Sequence, residues 1–178
     1  MIELYTSSLK TPIGKMLICS TGKGICLLEF ANDVSIDRNA EALASKIGAD
    51  VLNHENGIIK QAKLQLQEYF AGKRNEFSFE LNMIGTAFQK KVWSSLLKIP
   101  FGTTTTYLKQ SRVVGDEKAI RAVASANGKN KIAIVIPCHR IIGSNGELTG
   151  YAGGIDKKKW LLEFEREQNM NSEQLKIY

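Results

Sequence analysis

The fold is constrained most by the punctuation of the first thirty residues. Ile2 to Ser8, Lys15 to Ser20 and Ile25 to Phe30 are apolar-rich runs of strand length, cut by Thr11-Pro12-Ile13-Gly14 and Thr21-Gly22-Lys23-Gly24. Glycine and proline at such intervals form turns between strands, so the opening reads as an antiparallel meander. Ile58 to Ala71 then sets Ile58, Ala62, Leu66, Tyr69 and Phe70 at a helical period closed by Gly72. Phe77, Phe79 and Leu81 alternate with Ser78 and Glu80, the period of another strand. Between Asn32 and Asn56 the pattern is weak: Glu41 to Ile47 suits a short helix and the rest reads as polar loop. The expectation is an α+β N-terminal domain over residues 1–84, with no catalytic constellation of its own.

The composition changes at Asn82 to Gly85, and a mostly helical domain over residues 85–178 is expected to follow. Thr86 is placed to cap a helix running to Leu97, with Phe88, Val92, Trp93, Leu96 and Leu97 as its apolar face and Pro100 as its stop. Tyr107 to Val114 reads as a second helix. Gly115-Asp116 is a turn, and Glu117 to about Asn127 reads as a third helix that buries Ile120, Val123 and Ala124. Two short helices about a glycine turn make a helix-turn-helix pattern, here winged-helix-like. The outer face of the third helix carries Arg121, Ala122, Ser125, Gly128 and Lys129. Small side chains let a helix backbone approach a narrow groove with little sequence discrimination, the lesser alternative being that they pack against another helix. Asp156 to Glu167 forms a last helix with Trp160, Leu161 and Phe164 inward, and Asn169 to Tyr178 reads as a polar tail with little fixed structure.

A net charge of +6 permits a polyanionic partner without demanding one. Three cysteines with no C-x-x-C pair suggest neither a disulfide framework nor a zinc ribbon. Cys19 and Cys26 lie in apolar runs and read as core, which leaves only His54 nearby as a zinc-ligand type. No window approaches the ~20 apolar residues of a membrane span. The start Met1-Ile2-Glu3-Leu4 lacks the features of a secretory signal. A cytoplasmic protein is expected, or a nuclear one were the source eukaryotic.

Against this background Pro137-Cys138-His139-Arg140 stands out, entered through Ile132-Ala133-Ile134-Val135-Ile136 and left through Ile141-Ile142. A thiol with an ordinary pKa of about 8.5 needs a base or a positive neighbour to react, and a histidine lies beside it. Taken alone, Cys138 could as well be a small core residue and His139 a satisfied histidine.

The surrounding residues argue otherwise. Pro100-Phe101-Gly102, Tyr107, Arg121-Ala122-Val123 and Asn130 precede the motif. Gly150-Tyr151-Ala152-Gly153-Gly154 and Trp160-Leu161-Leu162-Glu163-Phe164-Glu165 follow it. In this order and spacing the chain resembles the methylated-DNA–protein-cysteine methyltransferases, the O6-alkylguanine repair alkyltransferases. The likeness is strong from about Thr86 to Glu165 and general before that. It implies that Cys138 attacks the alkyl carbon on guanine O6, that His139 serves through a water as base, that Glu165 holds the other side of the imidazole, and that Asn130 shapes the cysteine turn. A carboxylate beside a histidine raises the histidine pKa, so a thiolate–imidazolium pair is expected.

The resemblance further implies minor-groove docking through the face carrying Ala122 and Ser125. Arg121 would fill the gap left by an extruded nucleotide, and Tyr107 would crowd the 3′ phosphate. Ile141 would wall the base, Tyr151 and Ala152 would lie on the loop closing over it, and Ser144 would be a further binding position. Ala152 stands where some relatives carry serine, and Gly150 where others carry asparagine, which bears on substrate breadth rather than on the reaction. The implied protein repairs O6-alkylguanine in double-stranded DNA, with O4-alkylthymine left open, once per molecule, because the thioether has no leaving route. It needs no metal or organic cofactor and works as a monomer, with cooperativity on DNA left open. Two rivals stand beside this reading. One is a lesion-binding module without chemistry, which the presence of Cys138 opposes; the other is a thiol hydrolase, whose cysteine and histidine usually come from separate chain segments.

Overall fold

A computed structural model describes residues 1–176; Ile177 and Tyr178, the end of the expected tail, lie outside the described residues. The chain forms two compact units, Met1–Ile84 and Gly85–Tyr178. The architecture is α+β, as the spacing of apolar residues predicts.

In the first unit β1 (Ile2–Thr11), β2 (Gly14–Thr21) and β3 (Gly24–Phe30) form the expected meander, in the sheet order β3-β2-β1-β4. Helix α1 (Asp33–Ile47) follows β3 and starts eight residues before the expected short helix Glu41–Ile47; strand β4 (Ala49–Leu52), which the sequence pattern conceals, then runs parallel to β1. Ile36, Leu43 and Ile47 of α1 pack beside the buried Ala40 and Ala44, and the small alanines among polar residues thin its apolar signal. Its ends are nonetheless written locally. Asn32 and Ser35 form a reciprocal capping box, and Gly48 closes the helix in the left-handed region at φ 66°. Leu4, Leu17, Cys19, Cys26 and Leu27 meet these alanines in one core. Helix α2 (Gly57–Phe70) lies against β1–β3 with Ile59, Ala62, Leu66 and Tyr69 buried. Each fully buried aliphatic side chain of this kind contributes about 1.5–3 kcal/mol.

Phe77 to Leu81 is not the expected strand. It touches the sheet through a single bridge between Leu81 and Ile25. The Ser78 backbone N–H donates instead to the buried Gln65 side chain at 2.9 Å, so the ladder has no donor there. Phe77 and Phe79 pack as rings, with Phe77 5.6 Å from the Tyr69 centroid.

In the second unit α3 (Ala87–Leu96) begins at a Thr86/Gln89 capping box. Its buried face is narrower than expected: Val92, Trp93, Ser95 and Leu96 are inside, whereas Phe88 and Leu97 are exposed. The Trp93 indole N–H donates to the Ala126 carbonyl at 2.8 Å. Strand β5 (Thr105–Thr106) leads into α4 (Tyr107–Val114), and the Gly115 turn and a short 3-10 segment over Glu117–Ala119 lead into α5 (Ile120–Gly128). Ile120, the first residue of α5, is exposed rather than buried; Val123, Ala126 and Asn127 face inward. Gln110 and Asn127 lock α4 to α5 through reciprocal amide bonds of 2.9 and 2.7 Å. Strand β6 (Ile141–Ile142) pairs in parallel with β5. Helix α6 runs from Ile155 to Leu175, so Asn169 to Leu175 is helical and not a loose tail. Its Glu, Gln, Met and Leu residues propagate a helix well without burial.

Candidate active site

The apolar run before the cysteine is buried, but it is wound into turns. Val135 N–H donates to Ala133 O, Ile136 N–H to Ile132 O and Cys138 N–H to Ile136 O. Ile134 sits at φ 70°, a backbone region that a β-branched residue rarely enters. One side chain spans this turn. Asn130 Oδ1 accepts from Ile132 N–H at 3.0 Å, while Nδ2 donates to Ile136 O at 2.8 Å and to Cys138 Sγ at 3.3 Å. Asn130 is itself buried, so the cysteine turn hangs on an amide shielded from water.

Cys138, His139 and Arg140 make one 3-10 turn that leaves the thiol half-buried and the other two side chains inside. His139 Nε2 lies 2.8 Å from Glu165 Oε1, brought by α6. Burial alone would raise the Glu165 pKa, but His139 and Arg140 outweigh it and hold the carboxyl well below the usual range. An ionised carboxylate only accepts, so Nε2 carries the proton and Nδ1 keeps its lone pair. That Nδ1 atom is buried and has no hydrogen-bond partner among the described residues.

Burial pushes the His139 pKa down. Glu165 opposes this, and Arg140 and Lys158 add to it. Burial likewise pushes the Cys138 thiol up, against smaller lowering effects from the Asn130 bond and Lys158. The resting pair is therefore neutral thiol and neutral imidazole, not the expected thiolate–imidazolium. Glu165 does raise the histidine, but desolvation is larger.

Lys158 and Arg140 are functional candidates that the sequence reading did not single out. Lys158 is fully buried, and its Nζ donates to the Thr149 and Gly150 carbonyls at 3.1 and 3.3 Å. It precedes Glu165 by seven residues, two helical turns on one face, and that spacing was a usable signal. Among the described residues no group of three or more His, Cys, Asp or Glu could hold a metal ion.

The remaining predicted positions fall into two groups. Tyr107, Arg121 and Ser144 line an open cavity of about 440 Å³ together with Thr149 and Gly150. The Tyr107 hydroxyl donates to Thr149 O at 2.9 Å. Ala122 and Ser125 are exposed on α5, and Ala152 is exposed on the glycine-rich loop. Ile141 is fully buried in β6. The Tyr151 hydroxyl is buried without a partner among the described residues, and burial, with Cys138 and Glu165 nearby, drives its pKa well up.

The chain is similar to known proteins over most of its length. Residues 87–167 match the family described as 6-O-methylguanine DNA methyltransferase, DNA binding domain. Residues 4–83 match the same family's ribonuclease-like domain. A methylated-DNA--protein-cysteine methyltransferase of Mycobacterium leprae is 40% identical over 169 residues, 95% of this chain and 96% of its own. The constitutive enzyme of that name from Bacillus subtilis is 39% identical, covering 91% and 95%. The crystal structure of Mycobacterium tuberculosis OGT in complex with DNA superposes with a TM-score of 0.77 at 38% identity, over 93% of this chain and 94% of that one.

Proposed function

The chain belongs to the methylated-DNA–protein-cysteine methyltransferases, and from that premise we propose that Cys138 is the acceptor to which it transfers the alkyl group of O6-alkylguanine in DNA. The protein is a DNA-repair methyltransferase that reverses damage directly and binds alkylated DNA. The observation that carries the assignment of Cys138 is its neighbour: a buried imidazole fixed by Glu165, with Nδ1 uncommitted, one residue from a half-buried thiol.

The step runs as follows. The thiol proton passes through a bridging water to His139 Nδ1, and Glu165 stabilises the imidazolium through Nε2. The Cys138 sulfur attacks the alkyl carbon, the carbon–O6 bond breaks, and guanine leaves with that electron pair and takes up a proton. Because the resting pair is neutral, the thiolate forms only as the substrate arrives, and Lys158, whose own pKa burial pushes down, favours it from nearby. The thioether is not hydrolysed by such a site. Cys19 and Cys26 are buried in the N-terminal core, so no second thiol is poised for exchange. Each molecule acts once.

Base extrusion belongs to the α4–α5 face. Arg121 takes the space of the flipped nucleotide, where a planar guanidinium both stacks and donates, and Tyr107 presses on the adjoining phosphate. Ala122 and Ser125 allow close approach to the minor groove. Among the described residues no helix is long and apolar enough to cross a membrane, and a thiol that must stay reduced suits a reducing compartment such as the cytoplasm. In the test, Cys138→Ser should abolish methyl transfer and leave duplex affinity nearly unchanged. Transfer surviving in that variant would overturn the assignment.

A further inference from the structure

Arg140 follows the histidine of the thiol turn, and the mechanism above gives it no part. It is 6% exposed, and every branch of its guanidinium is engaged. Nε donates to Glu165 Oε2 and Nη2 to Glu165 Oε1, both at 2.9 Å, a two-pronged fork. Nη1 donates to the Ile99 carbonyl at 2.7 Å, and the guanidinium carbon lies 5.7 Å from the centre of the Phe101 ring. The loop that holds Arg140 also holds its partner, because Gly102 N–H donates to Glu165 Oε2 at 3.3 Å. Gly102 sits at φ +74°, and a Cβ there would come within 2.8 Å of Asn169 on α6. Glu165 Oε1 thus receives both the imidazole and the arginine.

We propose that Arg140 is a positioning residue for alkyl transfer, clamping Glu165 against the Ile99–Gly102 loop so that His139 is held in one tautomer and stays neutral until it takes the thiol proton. A carboxylate with two oxygens and no clamp can rotate and present either lone pair. The fork fixes its plane and leaves one direction for Nε2. The permanent charge of Arg140 also offsets that of Glu165 at the imidazole. The groups facing His139 are Glu165 and Lys158 from α6 and Arg140 from its own turn, and only Glu165 favours the charged ring. The proposal rests on Cys138 being the acceptor.

The test uses the full chain with free O6-benzylguanine, so that DNA binding does not enter. Alkylation rate is measured against pH, and the ring nitrogens of the two histidines are followed by 15N NMR. In Arg140→Gln, alkylation should slow about 10- to 100-fold, the effect typical of removing a hydrogen-bond partner that orients a working histidine. His139 protonation and the acid limb of the rate profile should both move to higher pH. Arg140→Lys, which keeps a charge without the fork, carries the test if the glutamine variant does not fold. It should remain slowed and lose the single Nε2–H tautomer. A folded Arg140→Gln protein with an unshifted His139 titration, or an Arg140→Lys protein with unchanged rate and tautomer, would overturn the proposal. Benzyl label mapping away from Cys138 in the unsubstituted protein would sink the acceptor assignment instead.

Discussion

At Asn130 a single amide fixes the nucleophile and the turn that carries it, touching Ile132, Ile136 and Cys138. Asn130→Ala leaves the buried Ile132 N–H without its partner, while Ile136 O keeps the Cys138 N–H, which should cost about 1–3 kcal/mol. It should also raise the thiol pKa, because the Asn130 bond lowers it. Thermal unfolding and the pH dependence of thiol labelling measure the two effects separately. A stable variant with unchanged labelling would mean that the turn holds itself. Glu165→Gln removes the one neighbour that favours the charged imidazole. Alkylation should slow and its acid limb should move to lower pH, the opposite direction from the arginine variant, and an unmoved profile would reduce Glu165 to a packing residue. The thiol, histidine and carboxylate were legible in sequence, because their identities and order carry the resemblance. The sign of the histidine shift was not, because desolvation depends on burial that no motif encodes.

At the scale of elements, the α4–α5 pair separates two kinds of DNA contact. Arg121→Ala should impair repair of duplex DNA far more than reaction with a free benzylated base, while lowering the salt slope of DNA binding by only about one unit. Placing the lesion opposite an abasic site should restore part of the loss, since unstacking then costs less. Equal loss towards free base and duplex would mean that Arg121 supports the active site instead. The helices of this pair were readable from Gly115 and the apolar spacing, and α4 occupies the expected Tyr107–Val114. Helix α1 was readable only in its second half, Glu41–Ile47, because its first turns set Ile36 and Ala40 among polar residues; the Asn32/Ser35 box marks its true start. The Phe77–Leu81 alternation misled for the converse reason. Period-two spacing buried Phe79, yet Gln65 had already taken the backbone donor that a strand needs.

For the whole molecule, the buried charges make stability depend on pH in a definite direction. Glu165 titrates lower in the folded than in the unfolded chain, so its contribution is complete above the ordinary carboxylate pKa of about 4.3 and is lost as pH falls through its depressed value. His139 also titrates lower when folded, so acidification below about 6.5 favours the unfolded chain. The melting temperature should fall from near neutral pH into acid, first through His139 and below about 4.3 also through Glu165, and Glu165→Gln should lose the second part of the fall. A flat profile over that range would contradict the buried, ionised carboxylate. Transfer to Cys138 is tested by intact mass spectrometry after incubation with a duplex carrying one O6-methylguanine, followed by peptide mapping. Each protein molecule should gain the mass of one methyl group and no more, on the peptide holding Cys138. A methyl found on Cys19 or Cys26, or repaired DNA in excess of protein, would contradict it.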